Sequence, residues 1–352
     1  MAFVKNFGDF KLYQPTAEEA AEAEKTLRPR QELNLRFIEE NPLNEDVKAT
    51  ISGTFVAAHA PDYVGVPMIY RTVDDWRREF QVMRNYNIDT VILQSSAWKE
   101  LEESYFFSET LKNFRTFDVV GPLAEAAKAE NMKLFVGGFG SVAGWDLQNA
   151  EKTARETELH EAVLRELAEL ASDSIAGFYF PCETAFRGER RLEHEMQYSK
   201  ILGTFCRIAR ELLPDKPIVM SPSSKYFEGR DDEFIACWKN LFSIGVPDIL
   251  APQDSIGCGG CNLANQSRMW ALWKKLADET KCRLWANIEL FERRAFGGED
   301  PFDSASAERV NRQLANVAEY VEKCICWEFS YFVNGNANGS EALRRNWKMK
   351  TI

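Results

Sequence analysis

The chain has 352 residues, with 43 Lys and Arg against 54 Asp and Glu for a net charge of −11, and 12% of it is aromatic. That acidic balance argues against a nucleic-acid or anionic-membrane partner, and no apolar run approaches the roughly 20 residues that a membrane span requires. The N-terminal MAFVKNFGDFKLYQ lacks a signal-peptide core, and the eight cysteines are scattered as reduced thiols are, so a cytoplasmic protein with a small neutral partner is expected.

Residues 1–47 read as a helical extension. Thr16 is placed to cap a helix through EEAAEAEKTL, and QELNLRFIEEN forms a second helix after the break at Pro29. These helices could pack on the outside of the main domain or join two copies of the chain. Residues 48–352 repeat one unit, an apolar strand followed by an amphipathic helix. The strands run Ala49–Val56, Ile88–Ser96, Lys133–Gly140, Ile175–Glu183, Lys216–Ser224, Asp248–Ser255, Arg283–Glu292 and Cys324–Phe332. Helices follow at Asp74–Tyr86, VVGPLAEAAKAEN, Ala150–Ala171, Leu192–Leu213, Asp231–Phe242, Asn265–Glu279, Ala305–Val321 and SEALRRNW.

Eight alternations are the count of a (β/α)8 TIM barrel. Helix-to-strand links are short, whereas strand-to-helix links such as 139–149, 257–264 and 293–304 are long and rich in Gly and aromatic residues, which marks the carboxyl ends of the strands as the working face. A doubly wound sheet is the alternative, but TFVAAHAPD stands where its Gly-rich phosphate turn would be.

Four strands end in acids: Glu183 on the fourth, Asp254 on the sixth, Glu289 on the seventh and Glu328 on the eighth. One such acid can equally be a helix cap or the partner of an arginine. A pair across one rim is what glycosidic bond cleavage needs, one carboxyl protonated for the leaving oxygen and one ionised. Glu183 and Glu289 are the pair expected to be catalytic, with Asp254 and Glu183 as a second pairing. Asn287 and Trp285 share a strand face with Glu289. Trp327 and Glu328 are adjacent, so parity sends them to opposite faces unless the strand bulges. Gln94, Trp98, Arg187, Tyr226, Gln253 and His59, with Ser95, Trp145, Ser221 and Ser223, complete an expected sugar-binding rim.

Other chemistries are weaker. Cys258-Gly-Gly-Cys261 has ligand-like spacing without two further ligands, and the three histidines form no HxH pair, so neither metal nor cofactor is expected. Lys225 lies in the polar SSKYFEGRDD and reads as a solvated lysine rather than a Schiff-base former.

The motifs ISGTF, IDTVILQ, GFYFPCE, SPSS, APQDSIG, WANIELFE and CWEFSYF, in that order over about Thr50 to Val333, resemble a bacterial barrel family, domain of unknown function 4434, often labelled as glycoside hydrolases. The layout is also similar to the clan of retaining glycosidase barrels. That likeness implies Glu183 as acid/base and Glu289 as nucleophile, with Glu183 protonated at rest beside Phe180 and the charge of Glu289. Cys182 stands where the clan has Asn. The competing expectations are a carbohydrate-binding barrel without turnover, a lyase or transferase using the same cleft, and a structural protein assembled through its N-terminal helices.

Overall fold

The computed structural model describes residues 3–7, 10–13, 17–43, 47–58, 68–141, 150–293 and 302–347. Eight strands pair in parallel: β1 (Ile51–Val56), β2 (Thr90–Leu93), β3 (Lys133–Gly137), β4 (Gly177–Phe180), β5 (Ile218–Met220), β6 (Ile249–Leu250), β7 (Arg283–Glu289) and β8 (Lys323–Trp327). They follow in chain order, and β8 returns to β1 to close the barrel, with an irregularity in register between Cys324 and Ile325. The fold is the α/β TIM barrel.

The strands alternate faces as a period of two demands. Phe55, Ile92, Phe135, Tyr179, Val219, Ile249, Ala251, Trp285 and Ile325 fill the inside of the barrel. Their neighbours Val56, Val91, Val136, Phe178, Met220, Leu250, Ile288 and Cys326 belong to the larger layer beneath the helices. Each such side chain stabilises by about 1.5–3 kcal/mol when buried. A slip of one residue would exchange the two layers, so this apolar pattern fixes which strand-end residues face inward.

Helix α1 (Ala17–Glu40) precedes the barrel. α2 (Val73–Asn85), α3 (Val120–Ala129), α4 (Ala150–Ala171), α5 (Leu192–Leu212), α6 (Asp231–Leu241), α7 (Leu263–Thr280) and α8 (Ala307–Val317) surround it, and the short α9 (Phe329–Phe332) and α10 (Ser340–Asn346) end the chain. Two start with reciprocal caps: Thr72 with Asp75 for α2, and Asn262 with Asn265 for α7, where both bonds are 3.0 Å. The α7 cap matters for the site because it anchors the end of the preceding loop.

Three local expectations are corrected. Pro29 does not split the N-terminal helix, since α1 runs through it as one segment, and a hairpin of Phe3–Phe7 with Phe10–Tyr13 comes before. The eighth strand stops at Trp327, and the predicted remainder is α9. The insertion after β2 builds a small sheet from residues 97–98, 103–104 and 115–116 with 139–140. α1 packs on α7 and α8, with Asn34 accepting the Leu263 N–H at 2.8 Å and Gln31 donating to the Arg293 carbonyl at 2.8 Å. Among the described residues no helix is long and apolar enough to cross a membrane.

Candidate active site at the barrel mouth

Counting along each strand from the interior layer gives the inward positions of the next level. They are Ser221 beyond Val219, Gln253 beyond Ala251, Asn287 and Glu289 beyond Trp285, and Trp327 beyond Ile325, while Glu183 and Ser223 follow in the loops, three residues after the ends of β4 and β5. Ladder contacts carry the level from strand to strand, with Ser223 N–H donating to the Thr184 carbonyl at 3.1 Å and Gln253 bridged to Asn287. The Asn287 amide donates to Ser221 Oγ at 3.1 Å, and the Gln253 amide to the Ser221 carbonyl at 3.4 Å. A polar shelf therefore lies over an apolar plug.

The shelf is not saturated by the protein. Asn287 is 2% exposed, and its Oδ1 has no hydrogen-bond partner among the described residues. The same holds for Gln94 Oε1, the inward position that follows Ile92 on β2, and for the Tyr226 hydroxyl. A buried polar atom left unpaired costs about 1–3 kcal/mol, so these atoms favour a polar guest.

Glu289 ends β7 beneath loop 256–261. Its Oε2 accepts the Cys258 N–H at 2.8 Å, and its own N–H donates to Asp254 Oδ1 at 3.2 Å. The loop can lie this close because of glycine: a Cβ on Gly257 would fall 2.0 Å from the Phe291 carbonyl oxygen, and Gly259 has φ +79°. Burial, and after it the charge of Asp254, raises the Glu289 carboxyl to about 8, against the opposing pull of Cys258 and Arg309. Burial also raises Asp254, to about 6. The two titrate as a pair.

Asp254 itself faces outward. It receives the Gln313 amide from α8 at 2.5 Å and the Gln266 amide from α7 at 3.4 Å, both glutamines being wholly buried. It braces Glu289 from behind rather than opening on the mouth. The two glutamines went unnoticed in the sequence, although Gln313 interrupts the apolar stripe Val310, Leu314 and Val317, which is a readable signal.

Glu183 is half-buried at the end of β4. Burial pushes the hydroxyl of Tyr179 well up, with the charge of Glu183 adding to it. Phe180, expected beside Glu183, packs instead with His160, Tyr198 and Phe205, because an odd spacing puts it on the opposite face. Lys225 is a second correction. It is half-buried, and burial lowers its pKa, with Arg187 and Arg30 acting in the same direction and Cys258 and Glu183 against it.

The remaining candidates divide by depth and face. Trp285 plugs the lower end of the barrel, edge-on to Phe135 at 6.1 Å, with the Arg283 guanidinium 5.8 Å and the Lys323 ammonium 5.5 Å from its ring. Trp327, in register with Glu289, lies at the mouth among Phe291, Phe302 and Phe332. Glu328 turns outward as the cap of α9, accepting Ser330 and Tyr331 N–H groups at 2.9 and 2.8 Å. Trp98 packs against Gly140 in the small sheet, and Arg187 is exposed beyond Glu183. The ring of Tyr226 lies under the Arg268 guanidinium at 5.6 Å. His59 and Trp145 lie outside the described residues.

Cys182, next to Glu183, meets His160 at 3.3 Å in the buried layer under the helices. Burial raises the thiol well above its ordinary value and lowers the imidazole to about 3, so the pair is neutral. Among the described residues no group of three or more His, Cys, Asp or Glu is arranged to hold a metal ion.

Fold and site together define an α/β barrel with carboxyl groups and a polar shelf at its mouth. The chain belongs to the family described as Domain of unknown function (DUF4434), which matches residues 51–338. No curated protein matches it. Among solved structures it is similar to a candidate alpha-L-fucosidase from Bacteroides thetaiotaomicron VPI-5482, with a TM-score of 0.69 and 20% identity over 88% of this chain and 97% of that one. A family 1 β-glucosidase from Thermotoga maritima aligns with a TM-score of 0.51 and 9% identity, over 80% and 88%. The AHE enzyme from Alicyclobacillus herbarius gives 0.52 and 12%, over 81% and 90%. At these identities the likeness is one of fold.

Proposed function

We propose that this protein is a glycoside hydrolase that cleaves a small oligosaccharide or glycoside, with Glu183 and Glu289 as its two carboxyl groups. What supports the reading is the place of the two residues in one barrel: Glu183 follows the carboxyl end of strand four, and Glu289 ends strand seven in the inward register of Trp285 and Asn287, beside a polar shelf with unpaired buried atoms. The named glycosidases among its structural neighbours add support. On this reading Asn287, Gln253 and Ser221 bind hydroxyl groups, and Trp327 offers its face to a sugar ring.

By the layout of the retaining clan, Glu183 is the acid/base and Glu289 the nucleophile, which requires their carboxyls to approach to about 5–5.5 Å. The raised carboxyl of Glu289 favours a second assignment with the roles exchanged: Glu289, enclosed by loop 256–261, carries the proton, and Glu183 beside Lys225 carries the charge. The test is hydrolysis of aryl glycosides by Glu183→Gln and Glu289→Gln. Each variant should lose about 100- to 10,000-fold in kcat, and undiminished turnover in either would remove that residue from the mechanism. Azide separates the roles in the Glu→Ala variants of a retaining enzyme. Where the nucleophile is missing, azide takes its place and the glycosyl azide is inverted; where the acid/base is missing, azide attacks the glycosyl-enzyme and configuration is retained.

A cytoplasmic location is part of the proposal, supported by eight free cysteines, six of them buried. Self-association through α1 is supported by Leu33 and Leu35, which are 45% and 59% exposed.

A further inference from the structure

The N-terminal helix grips the loop that encloses Glu289. Leu27, Gln31 and Asn34 share one face of α1, as helical spacing requires, and each meets a different part of loop 256–261 or its flanks. At the start of the loop, the Gln31 amide donates to the Arg293 carbonyl at 2.8 Å, and the Arg293 N–H donates to the Gly257 carbonyl at 3.1 Å. At its tip, Leu27 is buried against Gly259, where a Cβ would fall 3.0 Å from the leucine Cδ2 and 3.3 Å from the Arg30 guanidinium. At its end, Asn34 Oδ1 accepts the Leu263 N–H at 2.8 Å. Between start and tip lies Cys258, whose N–H is the one given to Glu289 Oε2.

Asn34 carries the argument furthest. Asparagine is a poor helix former, yet this one lies inside a helix of 24 residues and is 4% exposed. It serves α7 rather than α1. The first N–H groups of a helix have no partner within it: Asn262 accepts that of Asn265, and Asn34 accepts that of Leu263 from 229 residues away. An apolar side chain in its place would leave a buried donor unpaired. Its neighbours Leu33 and Leu35 are 45% and 59% exposed, so only one face of α1 holds the loop.

We propose that α1 is a working part of the active site, with Asn34, Gln31 and Leu27 as positioning residues that hold loop 256–261 closed over Glu289. The loop is tied separately to the β5–α6 segment, where Tyr226 N–H donates to the Gly260 carbonyl at 3.4 Å and Ser224 N–H to Ser255 Oγ at 3.0 Å. Loss of the α1 grip therefore frees the stretch 257–259, which carries Cys258, and lets water reach Glu289. The proposal goes beyond the hydrolase reading by giving the N-terminal helix a role, and it rests on that reading only for the part Glu289 plays in turnover.

Thiol labelling of the full chain, resolved by residue, tests this without turnover. Cys258 lies in the loop and Cys282 just past the opposite end of α7; both are partly exposed, whereas the other six cysteines are buried. Iodoacetamide labelling rates at the two are read by peptide mass spectrometry in the wild type, Asn34→Ala, Gln31→Ala and Asn34→Asp. Asn34→Ala should speed labelling of Cys258 about tenfold or more, with Cys282 at its wild-type rate, and Gln31→Ala should act in the same direction by less. Asn34→Asp keeps an accepting oxygen at the N-terminus of α7 and should restore slow labelling. An unchanged Cys258 rate in Asn34→Ala, equal rises at both thiols, or no recovery in Asn34→Asp overturns the proposal. The kcat for an aryl glycoside should fall and recover in the same order. The expected labelling in a protein that hydrolyses no aryl glycoside leaves the proposal standing and removes the hydrolase reading instead.

Discussion

Replacing Glu289 by glutamine should make the protein more stable, by an amount that depends on pH. The glutamine keeps the shape of the carboxyl group and the acceptor for the Cys258 N–H, but it has no proton to lose. In the wild type the native carboxyl is raised from 4.5 to about 8 by burial and by Asp254. The folded state therefore holds a proton that the unfolded chain has already released. Stability from this group is complete below pH 4.5 and is lost as pH rises toward 8. At 1.36 kcal/mol per pH unit, and with proton binding shared with Asp254, the loss across that window is about 3–5 kcal/mol. Urea unfolding followed by tryptophan fluorescence at pH 5, 7 and 9 measures it. Wild type and Glu289→Gln should agree within about 1 kcal/mol at pH 5 and separate by about 3 kcal/mol or more at pH 9, the variant being the more stable. A difference that does not grow with pH would refute the idea that Glu289 is buried as a neutral acid.

Two further substitutions examine the frame around the site. Trp285→Ala empties the base of the barrel and should cost about 3–5 kcal/mol in chemical unfolding, whereas Trp327→Ala at the mouth should cost less stability and raise KM for an aryl glycoside. Gly257→Ala puts a methyl group 2.0 Å from the Phe291 carbonyl oxygen and must displace the loop from Glu289. A lower Tm, by an amount matching about 1–3 kcal/mol of overpacking, should accompany loss of turnover.

The barrel was legible because its information is local and repeated. An apolar period of two, broken by helical stretches of period 3.6, needs only neighbouring residues to be read, and parity alone sends Trp327 and Glu328 to opposite faces. Glu183 and Glu289 could be nominated in the same way. What parity cannot supply is what lies behind or above a residue. Asp254 is braced by Gln313, 59 residues later, and Lys225 loses its water to a loop more than 30 residues away. The polar sequence around Lys225 pointed to solvent, but burial is set by the elements that arrive from elsewhere. Glu328 looked like a site acid because a helix cap and a catalytic carboxylate have the same one-letter code. Only the turn into α9 distinguishes them.

The docking of α1 has a consequence for how the chain is made. Its contact with Leu263 spans 229 residues, and that with Arg293 spans 262. At about 5–20 residues per second the N-terminal helix waits roughly 10–50 s for its partners to be synthesised. Throughout that interval the surface it later buries on α7 and α8 does not exist. The first helix to leave the ribosome is thus among the last to reach its place, and the face of loop 256–261 that meets Leu27 and Arg30 is covered only after the seventh strand has been made.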